Sequence, residues 1–223
     1  MTHPTKVELD RVINHILGER MPNRPKQGIE LVSQVQNYRC GARMQLGAKV
    51  YHYGMANGIL GPQMGAKVQY EQEVSQQIIG ANAAAGVSLI TITLANTDGP
   101  TFDGLMPANY LEGGTVYVFG ALGDFNRGIL SNTAVLVNAG TATFNVVLDA
   151  PTPVAITVAD IAEAMASVYR SMVPFGDCHI GQTWMTVAGI PTMATVAGDW
   201  SWVQTWGPCF VAPAAEVGDA AED

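Results

Sequence analysis

The sequence predicts a mainly β protein, an antiparallel β-sandwich or barrel with one short helix and an extended N-terminal arm. Glycine (24 residues) and proline (12 residues) are frequent, which favours many short strands and turns. Runs of β-branched and aromatic residues recur between turn signals, as in Thr115–Phe119 and Thr141–Leu148. A third such run, Trp200–Trp206, holds three of the four tryptophans and is bounded by Gly198 and the Gly207-Pro208 pair. Strands at this spacing are typical of sandwiches and barrels.

The tryptophan-rich run is predicted to be a core or subunit-contact strand. Trp200, Trp202, Gln204 and Trp206 occupy alternate positions, so a regular strand sends all four to one face. Burial of large rings contributes strongly to core and interface stability. The alternative for this strand is an aromatic platform that binds a sugar or a nucleobase.

Residues 1–45 are predicted to form an arm outside the compact core. Apolar residues recur there at helical spacing and predict a short amphipathic helix, and Pro22 and Pro25 then favour an extended path. Residues 1–50 carry eight of the eleven basic residues and four acids, so their net charge is +4 while the rest of the chain carries −12. An acidic protein surface is the expected partner of the arm, and nucleic acid is not expected. The predicted contact residues are the apolar stripe and the nearby basic residues: Leu9, Arg11, Val12, Ile13, Ile16, Leu17, Arg20, Arg24 and Lys26.

Residues 46–211 are predicted to form one β-rich body, followed by an acidic flexible tail over 212–223. One helix is expected inside the body over 160–172. Asp160 can cap it, apolar residues such as Ile161 and Met165 share one of its faces, and Pro174 ends it. The tail has four acids and no basic residue, which predicts a solvated segment.

Composition excludes several classes of protein. No apolar run approaches the roughly 18 residues that a membrane-spanning helix needs, and the first ten residues lack a signal-peptide core. We therefore expect no membrane association and synthesis in a cytoplasm. The three cysteines are widely spaced without a Cys/His ligand pattern, so no metal site and no cofactor are expected. Only 13% of residues are charged, and a surface so poor in charge is often covered by a partner.

Candidates for chemistry have simpler structural explanations. We expect His52 to be a hydrogen-bonded strand residue and the turn aspartates to bond nearby backbone N–H groups. A small hydrolase that pairs Asp124 or Asp149 with His52 or His179 is the enzymatic alternative. The aspartates predicted to stabilise turns are Asp103, Asp124, Asp149 and Asp177.

Three stretches resemble head decoration (cement) proteins of tailed bacteriophages. They are Lys49-Val-Tyr-His-Tyr-Gly54, Gly113-Gly-Thr-Val-Tyr-Val118 and above all Trp202-Val-Gln-Thr-Trp-Gly-Pro208. The resemblance covers about residues 45–211 loosely, and the predicted helix at 160–172 and the long basic arm depart from it.

The resemblance implies a non-enzymatic structural protein of the virion. Such a protein sits on the outer capsid surface, binds the major capsid protein lattice, stabilises the capsid and forms a homo-oligomer such as a trimer. It is made in the host bacterial cytoplasm. The alternatives are a tail or adaptor component, or a carbohydrate-binding adsorption module that uses Trp184, Trp200 or Trp202.

Overall fold

The described part of the chain consists of β-strands, turns and loops, and no helix occurs in it. A computed structural model describes residues 27–61, 66–69, 72–174 and 185–209. Its strands, in chain order, are β1 (Arg43–Leu46), β2 (Lys49–Met55), β3 (Ala66–Gln69), β4 (Gln72–Ile78), β5 (Leu89–Ala95), β6 (Leu105–Met106), β7 (Thr115–Phe119), β8 (Phe125–Asn132), β9 (Val135–Leu136), β10 (Thr141–Leu148), β11 (Ile161–Met165), β12 (Met172–Pro174), β13 (Met185–Pro191) and β14 (Trp200–Trp206). The expectation of a mainly β protein is confirmed.

The chain divides into two compact units. The first unit comprises the described residues up to Gln69 and those from Tyr169 onward. The second unit comprises the described residues that lie between these two stretches and end at Val168. The sequence predicts one body over 46–211, because turn-rich composition does not mark where the chain leaves one core and enters another. The arm residues 1–26 and the tail 212–223 lie outside the described residues.

The first unit is built on a six-stranded sheet in the order β1-β2-β14-β13-β3-β12, with each neighbouring pair antiparallel. Strand β12 lies beside the residue that follows β2, since Met172 forms a parallel bridge with Ala56. One face of β1, β2 and β14 carries buried apolar and aromatic side chains. Residues 27–42 lie against this face, with Cys40 2% exposed in the same cluster. Residues 27–45, assigned above to the arm, therefore pack as part of the first unit.

The second unit is a nearly closed antiparallel barrel. Its sheet runs β4-β11-β7-β8-β10-β5. The two end strands meet where Ile79 bridges Ile92 and the Gly80 N–H donates to the Thr91 carbonyl at 2.8 Å. Apolar side chains from every strand of this sheet fill the interior. Strands β6 and β9 form a separate two-stranded ribbon in this unit.

The predicted helix over 160–172 is wrong, because a strand of the barrel occupies its first half. Strand β11 pairs with β4 on one side and β7 on the other, so its backbone groups belong to a sheet. Ala162 and Ala164 point into the barrel and are fully buried. The Asp160 carboxylate accepts hydrogen bonds from Thr157 N–H and Ala121 N–H, so it stabilises turns instead of capping a helix. Tertiary pairing here overrides the helical preference of alanine.

Candidate interaction surfaces and polar sites

The aromatic strand β14 places two of its tryptophans in the core of the first unit. Trp202 is fully buried and Trp200 is 5% exposed. The Trp202 ring lies 5.1 Å from the Tyr53 ring and 5.2 Å from the Tyr38 ring, in tilted and edge-on geometries favourable for aromatic pairs. Trp200 stacks on Tyr53 with ring centroids 5.5 Å apart. Neither indole face is therefore open to a ligand.

Gln27 connects the covering segment to this aromatic cluster. Its carbonyl oxygen accepts a hydrogen bond from Trp202 Nε1 at 3.1 Å. Its side-chain Oε1 accepts from the Tyr53 hydroxyl at 2.6 Å and from Asn37 Nδ2 at 3.0 Å. Its Nε2 donates to the carbonyls of Trp200 and Leu31, both at 2.7 Å. The described chain thus begins at a residue that is 5% exposed and bonded on all sides.

Trp206, in contrast, projects from the end of the same strand and is 74% exposed. A β-bulge separates it from Gln204: Gln204 pairs with Tyr51, and Trp206 pairs with Val50, so two steps on β14 match one step on β2. The bulge breaks the alternation that placed the four residues on one face. The monomer core therefore does not contain Trp206, and its role as a subunit contact stays a prediction.

The chain around Trp206 is tied to the side chain of Gln204 and packs closely against Ala48. Gln204 Nε2 lies within hydrogen-bonding distance of the carbonyls of Trp206, Gly207 and Pro208, at 3.2, 3.2 and 2.9 Å. Gly207 has a φ of 93°, and a Cβ there would lie 2.4 Å from the Ala48 carbonyl oxygen, so no other residue fits. An exposed indole on an ordered turn is typical of a residue that anchors an interface.

The second unit carries an apolar row on the outside of its barrel. Ile78, Ile161 and Phe119 are cross-strand partners on β4, β11 and β7, and Tyr117 lies two residues before Phe119 on the same face. The Tyr117 and Phe119 rings are 5.9 Å apart and inclined by 21°. We call these four residues the barrel-face row; their exposed fractions are 53%, 39%, 42% and 39% for Ile78, Ile161, Phe119 and Tyr117.

The barrel-face row was not predicted from the sequence, although part of its pattern is present there. Alternation in Thr115–Phe119 places Tyr117 and Phe119 on one face, opposite the buried Val116 and Val118. The contribution of Ile161 could not be found while that residue was assigned to a helix.

The turn aspartates bond to backbone groups, as expected. Asp103 Oδ1 accepts from Leu105 N–H, Asp124 Oδ1 from Gly120 N–H, and Asp149 Oδ1 from Gly128 N–H, each at 3.0 or 3.1 Å. Hydrogen bonds from the backbone of Leu105 and the side chain of Thr101 lower the pKa of Asp103. The turn-stabilising role is confirmed for Asp103 and Asp124. Asp149 instead bonds to Gly128 on β8, 21 residues away in sequence. Asp177 lies outside the described residues.

His52 has the structural environment predicted for it. Its Nδ1 lies 2.9 Å from Thr205 Oγ1, and its ring stacks on Tyr169 with centroids 4.5 Å apart. Burial, and secondarily the positive charge of Arg43, lower the pKa of His52. The His52 imidazole is therefore neutral at physiological pH. It packs on the Tyr169 ring and lies within hydrogen-bonding distance of Thr205.

Cysteines and other possible ligands do not cluster within the described ranges. No group of three or more His, Cys, Asp or Glu side chains in those ranges could hold a metal ion. Cys40 is buried and Cys209 is exposed, and these two described cysteines form no disulfide with each other. Nor does any helix in this part of the chain have the length and apolarity needed to cross a bilayer. Several predicted residues fall outside it: Cys178, His179, Trp184 and the arm residues Leu9, Arg11, Val12, Ile13, Ile16, Leu17, Arg20, Arg24 and Lys26.

Comparison of the chain with known protein families, with curated proteins and with solved structures finds no match.

Proposed function

We propose that this chain is a non-enzymatic structural protein of a tailed bacteriophage, which decorates the outer capsid surface. It binds the major capsid protein lattice and stabilises the shell. On the shell it acts as a homo-oligomer. The proposal rests on the sequence resemblance together with the surface properties of the two β units.

The observation that carries the proposal is the placement of large apolar side chains on the outside of both units. Trp206 projects from the first unit, and the barrel-face row lies on the second. Contiguous exposed apolar surface is typical of sites that bind another protein. The stretch that carries the resemblance most strongly, residues 202–208, is the stretch that holds Trp206 in its exposed position.

The arm supplies a second contact. Gln27 fixes the end of residues 1–26 to the core of the first unit. In this proposal the apolar stripe and the basic residues of the arm contact the capsid lattice.

The alternative functions fit the observed side-chain environments less well. A sugar platform made from Trp200 or Trp202 requires open ring faces, and both rings are buried. A hydrolase requires a carboxylate and a histidine free to react, whereas Asp124, Asp149 and His52 are bonded to structural partners. A tail or adaptor protein would use the same exposed surfaces, so it differs only in where the chain sits on the particle.

Mass spectrometry of purified particles tests the placement. A decoration protein is expected in a copy number that matches the capsid lattice, whereas an adaptor or tail protein occurs in far fewer copies. Absence of the chain from purified particles contradicts the proposal entirely.

Co-sedimentation with stripped capsids tests the surfaces. Full-length protein with Trp206→Ala, or with Ile13→Glu and Ile16→Glu together, is expected to lose capsid binding. The matched control is Ile59→Ala, because Ile59 is 73% exposed in the same unit as Trp206 but lies outside both surfaces. Binding by both variants equal to that of the unaltered chain would show that neither surface is the contact.

A further inference from the structure

The outer surface of the barrel is not the same on all of its strands. Strand β10 exposes Thr141, Thr143 and Asn145 at alternate positions, and Thr91 Oγ1 of β5 donates to Asn145 Oδ1 at 2.9 Å. Outward positions of a solvated sheet are normally polar in this way. The barrel-face row on β4, β11 and β7 departs from this pattern, so its apolar character belongs to one side of the barrel and is not a general property of the fold.

The row adds nothing to the core of its own barrel. The side chains that fill the interior from the same strands are their inward neighbours, such as Ala162 on β11 and Val118 on β7, both fully buried. The four side chains of the row are 39–53% exposed, which corresponds to roughly 300–400 Å² of exposed surface. A patch of this size is often a binding site. It can supply the apolar centre of a protein contact, which covers about 800 Å² on each partner.

The surroundings of the row are strongly acidic. Residues 72–168 contain eight acids and one basic residue, Arg127, which is a net charge of −7. Glu163 lies on the face of the row itself, as the cross-strand partner of Tyr117. The guanidinium of Arg127 donates to the Pro151 carbonyl at 3.0 Å, so it is engaged within the barrel. A partner of this face is therefore selected for positive charge, and the same face of a second copy is repelled by its own negative charge.

We propose that the barrel-face row binds an apolar element with basic flanks on the outer surface of the major capsid protein. This inference rests on the function proposed above and names the chemistry of one of its contacts. The row packs on the apolar part of that element, and Glu163 faces its basic part. Apolar burial then supplies most of the affinity, while the charges select the partner and speed association.

Co-sedimentation of the full-length protein with stripped capsids tests the apolar part of the contact. Ile161→Thr keeps a β-branched residue in β11 and is expected to raise the Kd at least about tenfold, because one large aliphatic side chain loses its burial. Leu89→Thr is the matched control and should leave the Kd within about twofold. Leu89 is 54% exposed on β5 of the same barrel, outside the row. Phe119→Thr provides a second row variant if Ile161→Thr fails to fold, as judged by circular dichroism melts.

A pair of variants with equal changes in net charge tests the electrostatic part. Glu163→Gln removes one negative charge from the row, and Thr141→Lys adds one positive charge on β10. Glu163→Gln is expected to raise the Kd about threefold at about 50 mM salt and to have little effect at about 400 mM, where exposed charges are screened. Thr141→Lys should leave the Kd unchanged at both. The basic arm adds its own salt dependence, so each variant is compared with the unaltered chain at the same salt concentration.

The results separate this inference from the proposed function. If the unaltered chain binds capsids and Ile161→Thr binds equally well, the row is not a capsid contact, although the decoration role stands. Equal effects of Glu163→Gln and Thr141→Lys would contradict selection for a basic partner. Sedimentation equilibrium of the free protein reports self-association, and a dimer that Ile161→Thr dissociates would assign the row to a second copy instead. Failure of the unaltered chain to bind capsids at any salt concentration would overturn both proposals.

Discussion

The indole N–H of Trp202 donates a hydrogen bond to the backbone carbonyl of Gln27, 175 residues away in sequence, at 3.1 Å. This bond joins the segment that covers the aromatic face to strand β14 of that face. The remaining polar atoms of Gln27 bond to Tyr53, Asn37, Leu31 and Trp200. One side chain therefore satisfies buried groups on three separate parts of the first unit.

Gln27→Ala is expected to destabilise the first unit by about 2–4 kcal/mol, because it leaves buried donors and acceptors without partners. Urea unfolding monitored by tryptophan fluorescence measures the change. Gln45→Ala is the control: Gln45 is an exposed residue of β1 whose loss should cost no more than about 0.5 kcal/mol. Equal effects of the two substitutions would contradict the role assigned to Gln27.

The two tryptophans of β14 are expected to differ sharply in their contribution to stability. Trp202→Ala should cost about 3–5 kcal/mol, since it removes a fully buried ring. Trp206→Ala should change the free energy of unfolding by less than about 1 kcal/mol at low protein concentration. A loss of stability in Trp206→Ala that grows with protein concentration would instead place this ring in a subunit contact.

The end of the arm can be located by truncation. Removing residues 1–26 should leave a folded protein with a nearly unchanged melting temperature, since Gln27 and the segment that follows it are retained. Removing residues 1–40 also removes Gln27, Tyr38 and the buried Cys40, and should unfold or strongly destabilise the first unit. Circular dichroism melts of both variants check this. Equal stability of the two variants would show that residues 27–40 contribute nothing to the core.

His52 is expected to make stability depend on pH. Burial lowers the pKa of His52 in the folded protein below 6.5, the value expected for the unfolded chain. At a pH between the folded-state pKa and 6.5, the unfolded chain therefore binds a proton that the folded chain does not. The free energy of unfolding should therefore fall as pH decreases through 6.5 toward the folded-state pKa, and this contribution should level off below it. Urea unfolding from about pH 7.5 to about pH 5 measures the slope. His52→Gln should reduce the slope, and an unchanged slope would show that other groups cause it.

Ser201 offers a stabilising substitution. Its side chain is fully buried on β14, and its Oγ has no hydrogen-bond partner among the residues that the structure describes. Ser201→Ala removes this buried polar group and should raise stability by about 1 kcal/mol. Thermal melts compare it with Ser33→Ala, which removes a hydroxyl that accepts from Val35 N–H and should not stabilise. A lower melting temperature for Ser201→Ala would reveal a partner for the hydroxyl.

Local pattern alone determined the mainly β class and three of the strands. Thr115–Phe119, Thr141–Leu148 and Trp200–Trp206 are strands with the bounds predicted for them, because alternation and flanking turn residues act over a few neighbours. The bonds of Asp103 and Asp124 were also predictable, since they are made to backbone groups of the same turns. The sequence predicted that His52 is a hydrogen-bonded strand residue, but not its partner Thr205, 153 residues away. The placement of the arm's contacts stays a prediction.

Only the tertiary structure decided which faces are covered. Alternation shows that β14 has two faces, but the burial of Trp202 depends on residues 27–42, and the exposure of Trp206 depends on a bulge against β2. Ile161–Met165 carries a helix-compatible pattern, and pairing with β4 and β7 makes it a strand. The barrel-face row likewise exists only because three strands distant in sequence align their outward residues. Burial and pairing are non-local quantities, so a short stretch of sequence does not contain them.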